Sequence, residues 1–134
     1  MDSNDVIRFP QGLLGMEDCQ SWVLLGDAQN NALGWLQCTT RPDVALAVVS
    51  PRRFLPDFQF RVFRSELTTV PLKQMRDAQV LVIVGKNERG ATLNLKAPIV
   101  IDVAEHIGCQ LIAHGDLPLQ YELSDAPARL KKSA

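Results

Sequence analysis

The tightest group of metal-binding and nucleophilic side chains in this sequence is His106-x-x-Cys109, with His114 close behind. Imidazole and thiolate at that spacing suggest three zinc ligands, but the second ligand pair that closes a structural site is missing. The bland reading, a turn histidine beside a buried cysteine, is therefore preferred. Cys19 and Cys38 lie far away in the chain, and three dispersed thiols fit reduced, buried positions better than a disulfide framework. No nucleophile elbow, P-loop or dinucleotide fingerprint occurs. The sequence offers no catalytic, cofactor-binding or metal-binding set, and neither an enzyme nor a cofactor is expected.

A second concentration of chemistry is Arg52-Arg53-Phe54-Leu55-Pro56-Asp57-Phe58-Gln59-Phe60-Arg61-Val62-Phe63-Arg64, where arginines interleave with phenylalanines. Such a segment can stack bases and hold phosphates, which makes a small RNA-binding β-barrel module using residues 52–64 the alternative functional reading. A period of two, however, puts Phe58, Phe60 and Val62 on one side and Gln59, Arg61 and Phe63 on the other, the pattern of a core-facing strand. Phe63 and the arginines then lie open, on a surface suited to a protein as much as to RNA.

These groups must be carried by a chain of 134 residues, 46% hydrophobic and 22% charged, with 14 Lys+Arg against 15 Asp+Glu. One domain with a real core is the natural outcome at this length. A formal net charge of -1 gives no broad attraction to nucleic acid or to anionic lipid. The opening Met1-Asp2-Ser3-Asn4-Asp5 lacks the features of a signal peptide, and no apolar run approaches a membrane-spanning length. The expectation is a cytoplasmic protein without membrane contact or direct nucleic-acid partner, acting as a monomer.

Gly, Pro, Asn and Asp punctuate the chain at short intervals, and the stretches between them are rich in Val, Ile, Leu and Phe. This predicts an all-β, single-domain, compact β-barrel-like fold of about nine short, mostly antiparallel strands with one or two short helical turns. The predicted strands are Val6–Phe9, Trp22–Leu25, Leu33–Cys38, Ala45–Val49, Phe58–Phe63, Val80–Gly85, Ala91–Leu95, Pro98–Asp102 and Cys109–Ala113. Lys86–Gly90 reads as a longer hairpin loop, after which Ala91, Leu93 and Leu95 face the core and Thr92 and Asn94 face away. Helical turns are expected at Met16–Ser21, Ser65–Leu72 and Asp102–Ile107. Residues 1–123 form the domain, and 124–134 a flexible basic tail.

The order of these turns and strands carries a resemblance. Ile7-Arg8-Phe9-Pro10-Gln11-Gly12-Leu13-Leu14-Gly15-Met16-Glu17-Asp18 resembles the opening of the bacterial flagellar assembly factor FliW family. Gly34–Cys38, Arg41–Pro51 and Pro56-Asp57-Phe58 resemble its central strands, and Ala91-Thr92-Leu93-Asn94-Leu95-Lys96-Ala97-Pro98-Ile99-Val100-Ile101 its most telling stretch. With Gly108–Ile112 and Leu117-Pro118-Leu119, the match runs from Ile7 to Leu119.

The resemblance implies a non-enzymatic β-barrel-like protein that binds flagellin before export. When freed, it binds the translational regulator CsrA and relieves repression of flagellin mRNA. Such a switch requires only that each complex deplete a shared component. Carried over by position, Thr92, Asn94, Ala97 and Pro98 are implied partner-contact residues or shape that surface, and Asp57, Phe63 and Glu66 join them. Asn94 has a plainer reading, an amide satisfying backbone groups in its own turn, and Leu93, Leu95 and Trp35 read as core. Family members carry a more acidic stretch after the Pro-Asp-aromatic element, where this chain has Gln59, Arg61, Arg64 and Glu66. An acidic face toward basic CsrA would draw on Asp43, Asp57, Glu66, Asp77 and Glu88, with Arg52–Arg64 expected outside that contact.

Overall fold

The computed structural model describes residues 6–67, 69–72 and 75–123, so the predicted basic tail lies outside the described residues. Nine strands occur among them: β1 (Val6–Arg8), β2 (Ser21–Gly26), β3 (Leu33–Cys38), β4 (Ala45–Val49), β5 (Ala78–Asn87), β6 (Gly90–Leu93), β7 (Ile99–Asp102), β8 (Ile107–Gln110) and β9 (Tyr121–Glu122). Seven of them close a ring in the order β4-β3-β2-β1-β8-β7-β5, sealed by pairing of Val48 with Ile83 and Val49 with Val82. Only β1 and β8 run parallel. Closure removes the free edges that would otherwise invite pairing with other chains.

The long strand β5 makes this possible by changing partners along its length. Its first part pairs with β7 (Ala78↔Asp102 to Leu81↔Ile99) and its last with β6 (Val84↔Leu93 to Asn87↔Gly90). Between these registers Val82 and Ile83 face five residues of the returning chain, Asn94–Pro98, which therefore bulges. β9 extends the hairpin through Thr92↔Glu122 and Leu93↔Tyr121.

Alternation along these strands supplies three cores. Ile99, Ile101 and Leu81 point into the ring with Phe9, Trp22, Leu36 and Val48. Val82, Leu93 and Leu95 pack with Val49 and Phe58. Val100 joins Val70, Cys109 and Leu111 on the outside of the ring. All four residues of β7 are buried, so both of its faces are covered, and β-branched Ile-Val-Ile suits a strand in that position.

The structure corrects several expectations. Phe58–Phe63 is not a strand; its one ladder contact is a bridge from Arg61 to His114, and Tyr121–Glu122 is the ninth strand instead. The period of two nevertheless holds there, with Phe58 buried, Phe60 and Val62 partly buried, and Gln59, Arg61 and Phe63 exposed. Alternation reports an extended chain with one covered side, and pairing is a separate matter.

The hairpin is tighter than expected, leaving only Glu88 and Arg89 between strands. Asn87 Oδ1 accepts the Arg89 N–H at 2.9 Å, and Gly90 takes φ 121, a left-handed value that a side chain would strain. Ala91, beside that tip, is exposed, whereas Thr92 is buried where Gly85 opposite lacks a side chain. Met16–Ser21 forms turns without helix, as does 103–106, where buried Asp102 accepts the N–H groups of Ala104 and Glu105. Single 3-10 turns occur at Pro51–Arg53, Arg64–Leu67 and Met75–Asp77. Among the described residues no helix is long and apolar enough to cross a membrane.

Candidate protein-binding groove

The extended segment after Pro56 crosses the outer face of β5 and β7. Val80 and Val100, which alternate outward from the ring, form the floor of a groove of about 730 Å³ whose other apolar walls are Phe60, Val62, Leu67 and Leu72. Arg61, Phe63 and His114, all exposed, also line it. Phe63 is 66% exposed, an unusual position for a large ring unless something covers it.

Three hydrogen bonds fix this rim. The His114 N–H donates to the Arg61 carbonyl at 2.9 Å, bringing the chain after β8 against the segment. Glu66 Oε1 accepts the Phe63 N–H at 2.7 Å and lies 2.8 Å from His114 Nε2. The Phe63 and His114 rings meet at a centroid distance of 4.6 Å. Donation from the Phe63 N–H, followed by the bond to His114, holds the Glu66 carboxyl below the ordinary carboxylate range.

The structure thus brings Phe63 and Glu66 together. Asn94 acts within the bulge instead: its Oδ1 accepts the N–H groups of Lys96 and Ala97, both at 3.1 Å, and so closes it. That bulge is stitched to the His114 segment, since Lys96 accepts the Ala113 N–H at 2.8 Å and Pro98 the Leu111 N–H at 2.9 Å. Thr92, Ala97 and Pro98 are buried and offer a partner no surface. Asp57 is exposed in the turn that precedes Phe58.

Sequence reasoning missed His114 as a rim residue because Glu66 lies 48 positions away and only the fold joins them. It also missed Val80 and Val100, although their outward alternation beside inward Leu81 and Ile101 is a readable signal. The His106, Cys109 and His114 trio does not converge: among the described residues no three His, Cys, Asp or Glu side chains could hold a metal ion. Burial pushes the Cys109 thiol up to about 11, and His106 sits in a turn at φ 56. Trp35 is partly buried rather than core, with its indole N–H donating to Asp27 Oδ1 at 3.1 Å.

Comparison with known proteins decides the relationship. The FliW protein family matches residues 1–123. The chain belongs to the FliW family. Flagellar assembly factor FliW from Caldanaerobacter subterraneus subsp. tengcongensis is 32% identical over 93% of this chain and 89% of its own. The FliW of Natranaerobius thermophilus is 30% identical over 85% of this chain and 78% of its own. A crystal structure of the flagellar assembly factor FliW superposes with a TM-score of 0.84 at 25% identity, covering 92% of this chain and 88% of that one. The closed barrel with its added hairpin is therefore a FliW fold.

Proposed function

We propose that this FliW-family chain is a non-enzymatic flagellar assembly factor that binds flagellin in the cytoplasm. Freed of flagellin, it binds CsrA and relieves repression of flagellin mRNA. The observation that carries the reading is exposed Phe63, held by Glu66 and His114 beside an apolar groove. A rigid aromatic next to a preformed apolar surface is how protein interfaces are anchored.

Charge divides the two partners between surfaces. The groove carries Arg61, and the segment contains Arg52 and Arg53, which would repel a basic partner such as CsrA. Flagellin is therefore assigned to the groove and CsrA to another face. The RNA-binding alternative has less support: partly buried Phe60 stacks on buried Phe58 against the core, and Arg52 Nε donates to the Phe58 carbonyl at 3.2 Å. One exposed ring is a poor stacking platform.

Calorimetric titration with flagellin and with CsrA from the same organism tests the proposal. Saturable binding of each, with flagellin lowering the apparent affinity for CsrA, is expected. Absence of flagellin binding overturns it.

A further inference from the structure

The inward-facing residues of the ring run out at one end. Toward that end each of four neighbouring strands has one further inward position: Gly26 after Trp22 and Leu24 in β2, Gly34 before Leu36 in β3, Ser50 after Val48 at the end of β4, and Gln79 before Leu81 in β5. Two of these positions carry no side chain, and Gly26 and Gly34 are direct cross-strand partners. The interior is therefore not filled to its rim. A mouth of about 400 Å³ is left open above Leu24, Val48 and Leu81. A Cβ at Gly26 would meet nothing within 4 Å, and one at Gly34 would lie 3.3 Å from Leu24 Cδ1 and 3.5 Å from Val48 Cγ2, directly over that floor.

The rim above this floor is polar, lined by Ser50, Gln79 and the exposed Asn31 and Arg53. The Arg53 N–H donates to the Ser50 carbonyl at 3.1 Å, which folds the 3-10 turn back on the rim, and the Ser50 hydroxyl caps nothing in that turn. Asp27, the acid of the adjoining loop, is engaged elsewhere. Its Oδ1 accepts the indole N–H of Trp35 at 3.1 Å, and its Oδ2 accepts the N–H groups of Gln29 and Asn30 at 3.0 and 2.9 Å. The charge that lines the mouth itself is the Arg53 guanidinium. An apolar floor under a few convergent polar groups, in the mouth of a β-barrel, is the usual form of a small-molecule site.

We propose that the mouth binds a small carboxylate with an aliphatic body, its chain on Leu24, Val48 and Leu81 and its head at Arg53. The guanidinium is always charged and its planar fork matches a carboxylate. The Ser50 hydroxyl and the Gln79 amide add neutral donors beside it. At roughly 30 Å³ per non-hydrogen atom, the share of a liquid water molecule, the mouth takes an eight-carbon acid with its head at the open side. Size and depth favour such a molecule over a protein, because the floor lies inside the ring. The site is distinct from the groove. Leu81 points into the ring whereas Val80 points out of it to the groove, so the two sites use opposite faces of β5 and neither depends on the flagellin reading.

The test titrates octanoate, and separately 1-octanol, into the full chain and follows the methyl resonances by NMR. Expected are saturable octanoate shifts at Leu24, Val48 and Leu81, with a dissociation constant of about 1 mM or below. Arg53→Gln, at an exposed position, should weaken octanoate about five-fold or more and leave 1-octanol unchanged. Gly26→Leu places a side chain where a Cβ meets open space, so the fold should persist while both probes lose binding at the mouth. Octanoate shifts that do not saturate, shifts confined to Val80 and Val100 in the groove, equal weakening of the two probes in Arg53→Gln, or undiminished binding in a folded Gly26→Leu variant would each overturn the proposal.

Discussion

Replacing Asn94 by alanine removes one acceptor that serves two backbone donors. The Lys96 N–H sits in a partly exposed residue and can turn to water, so losing its bond costs about 0.5–1 kcal/mol. Ala97 is 2% exposed, and its N–H loses its partner where water does not reach, at about 1–2 kcal/mol. The sum is about 1.5–3 kcal/mol. With unfolding entropy near 2.1 cal/mol/K per residue, 134 residues convert this to a fall in Tm of about 5–11 °C. Urea unfolding of wild type, Asn94→Ala and Asn94→Asp measures it directly. Asn94→Asp keeps the acceptor and should stay within about 1 kcal/mol of wild type. An Asn94→Ala loss below about 0.5 kcal/mol, or equal losses in both variants, would refute the assignment of Asn94 as the tie that closes the bulge.

Two further predictions follow from packing and charge. Gly108→Ala places a Cβ 2.6 Å from Phe9 Cε2 and 3.2 Å from Ile101 Cγ1, with Phe9 fully buried, so a loss of about 1–3 kcal/mol is expected in the same urea assay. The Glu66 carboxyl is held below its ordinary value of 4.5, so its contribution is present above that pH and disappears as pH falls through the lowered value. The stability gap between wild type and Glu66→Gln should therefore be open at neutral pH and close in acid; a gap independent of pH would contradict the ionised Glu66–His114 contact.

Much of the barrel is legible in the sequence because β-branched runs between Gly, Pro and Asn turns leave little choice. Leu33–Cys38 and Ala45–Val49 coincide with β3 and β4 to the residue. Phe58–Phe63 was misassigned because alternation specifies a covered side and says nothing about a hydrogen-bonded neighbour. Tyr121–Glu122 has only two residues and takes its strand character from pairing with β6, a tertiary effect no local pattern announces. The groove divides in the same way. Phe63 stands out as an apolar ring among charges, but the Glu66–His114 contact joins distant positions, and the burial of Thr92, Ala97 and Pro98 comes from layers folded over them.

The central claim is that flagellin occupies the groove beside Phe63. Because Phe63 is 66% exposed, Phe63→Ala should leave Tm within about 2 °C of wild type. An anchoring aromatic contributes about 2 kcal/mol or more to an interface, so flagellin affinity should fall about 30-fold or more in a calorimetric titration. Wild-type affinity for flagellin in a folded Phe63→Ala variant would contradict the account.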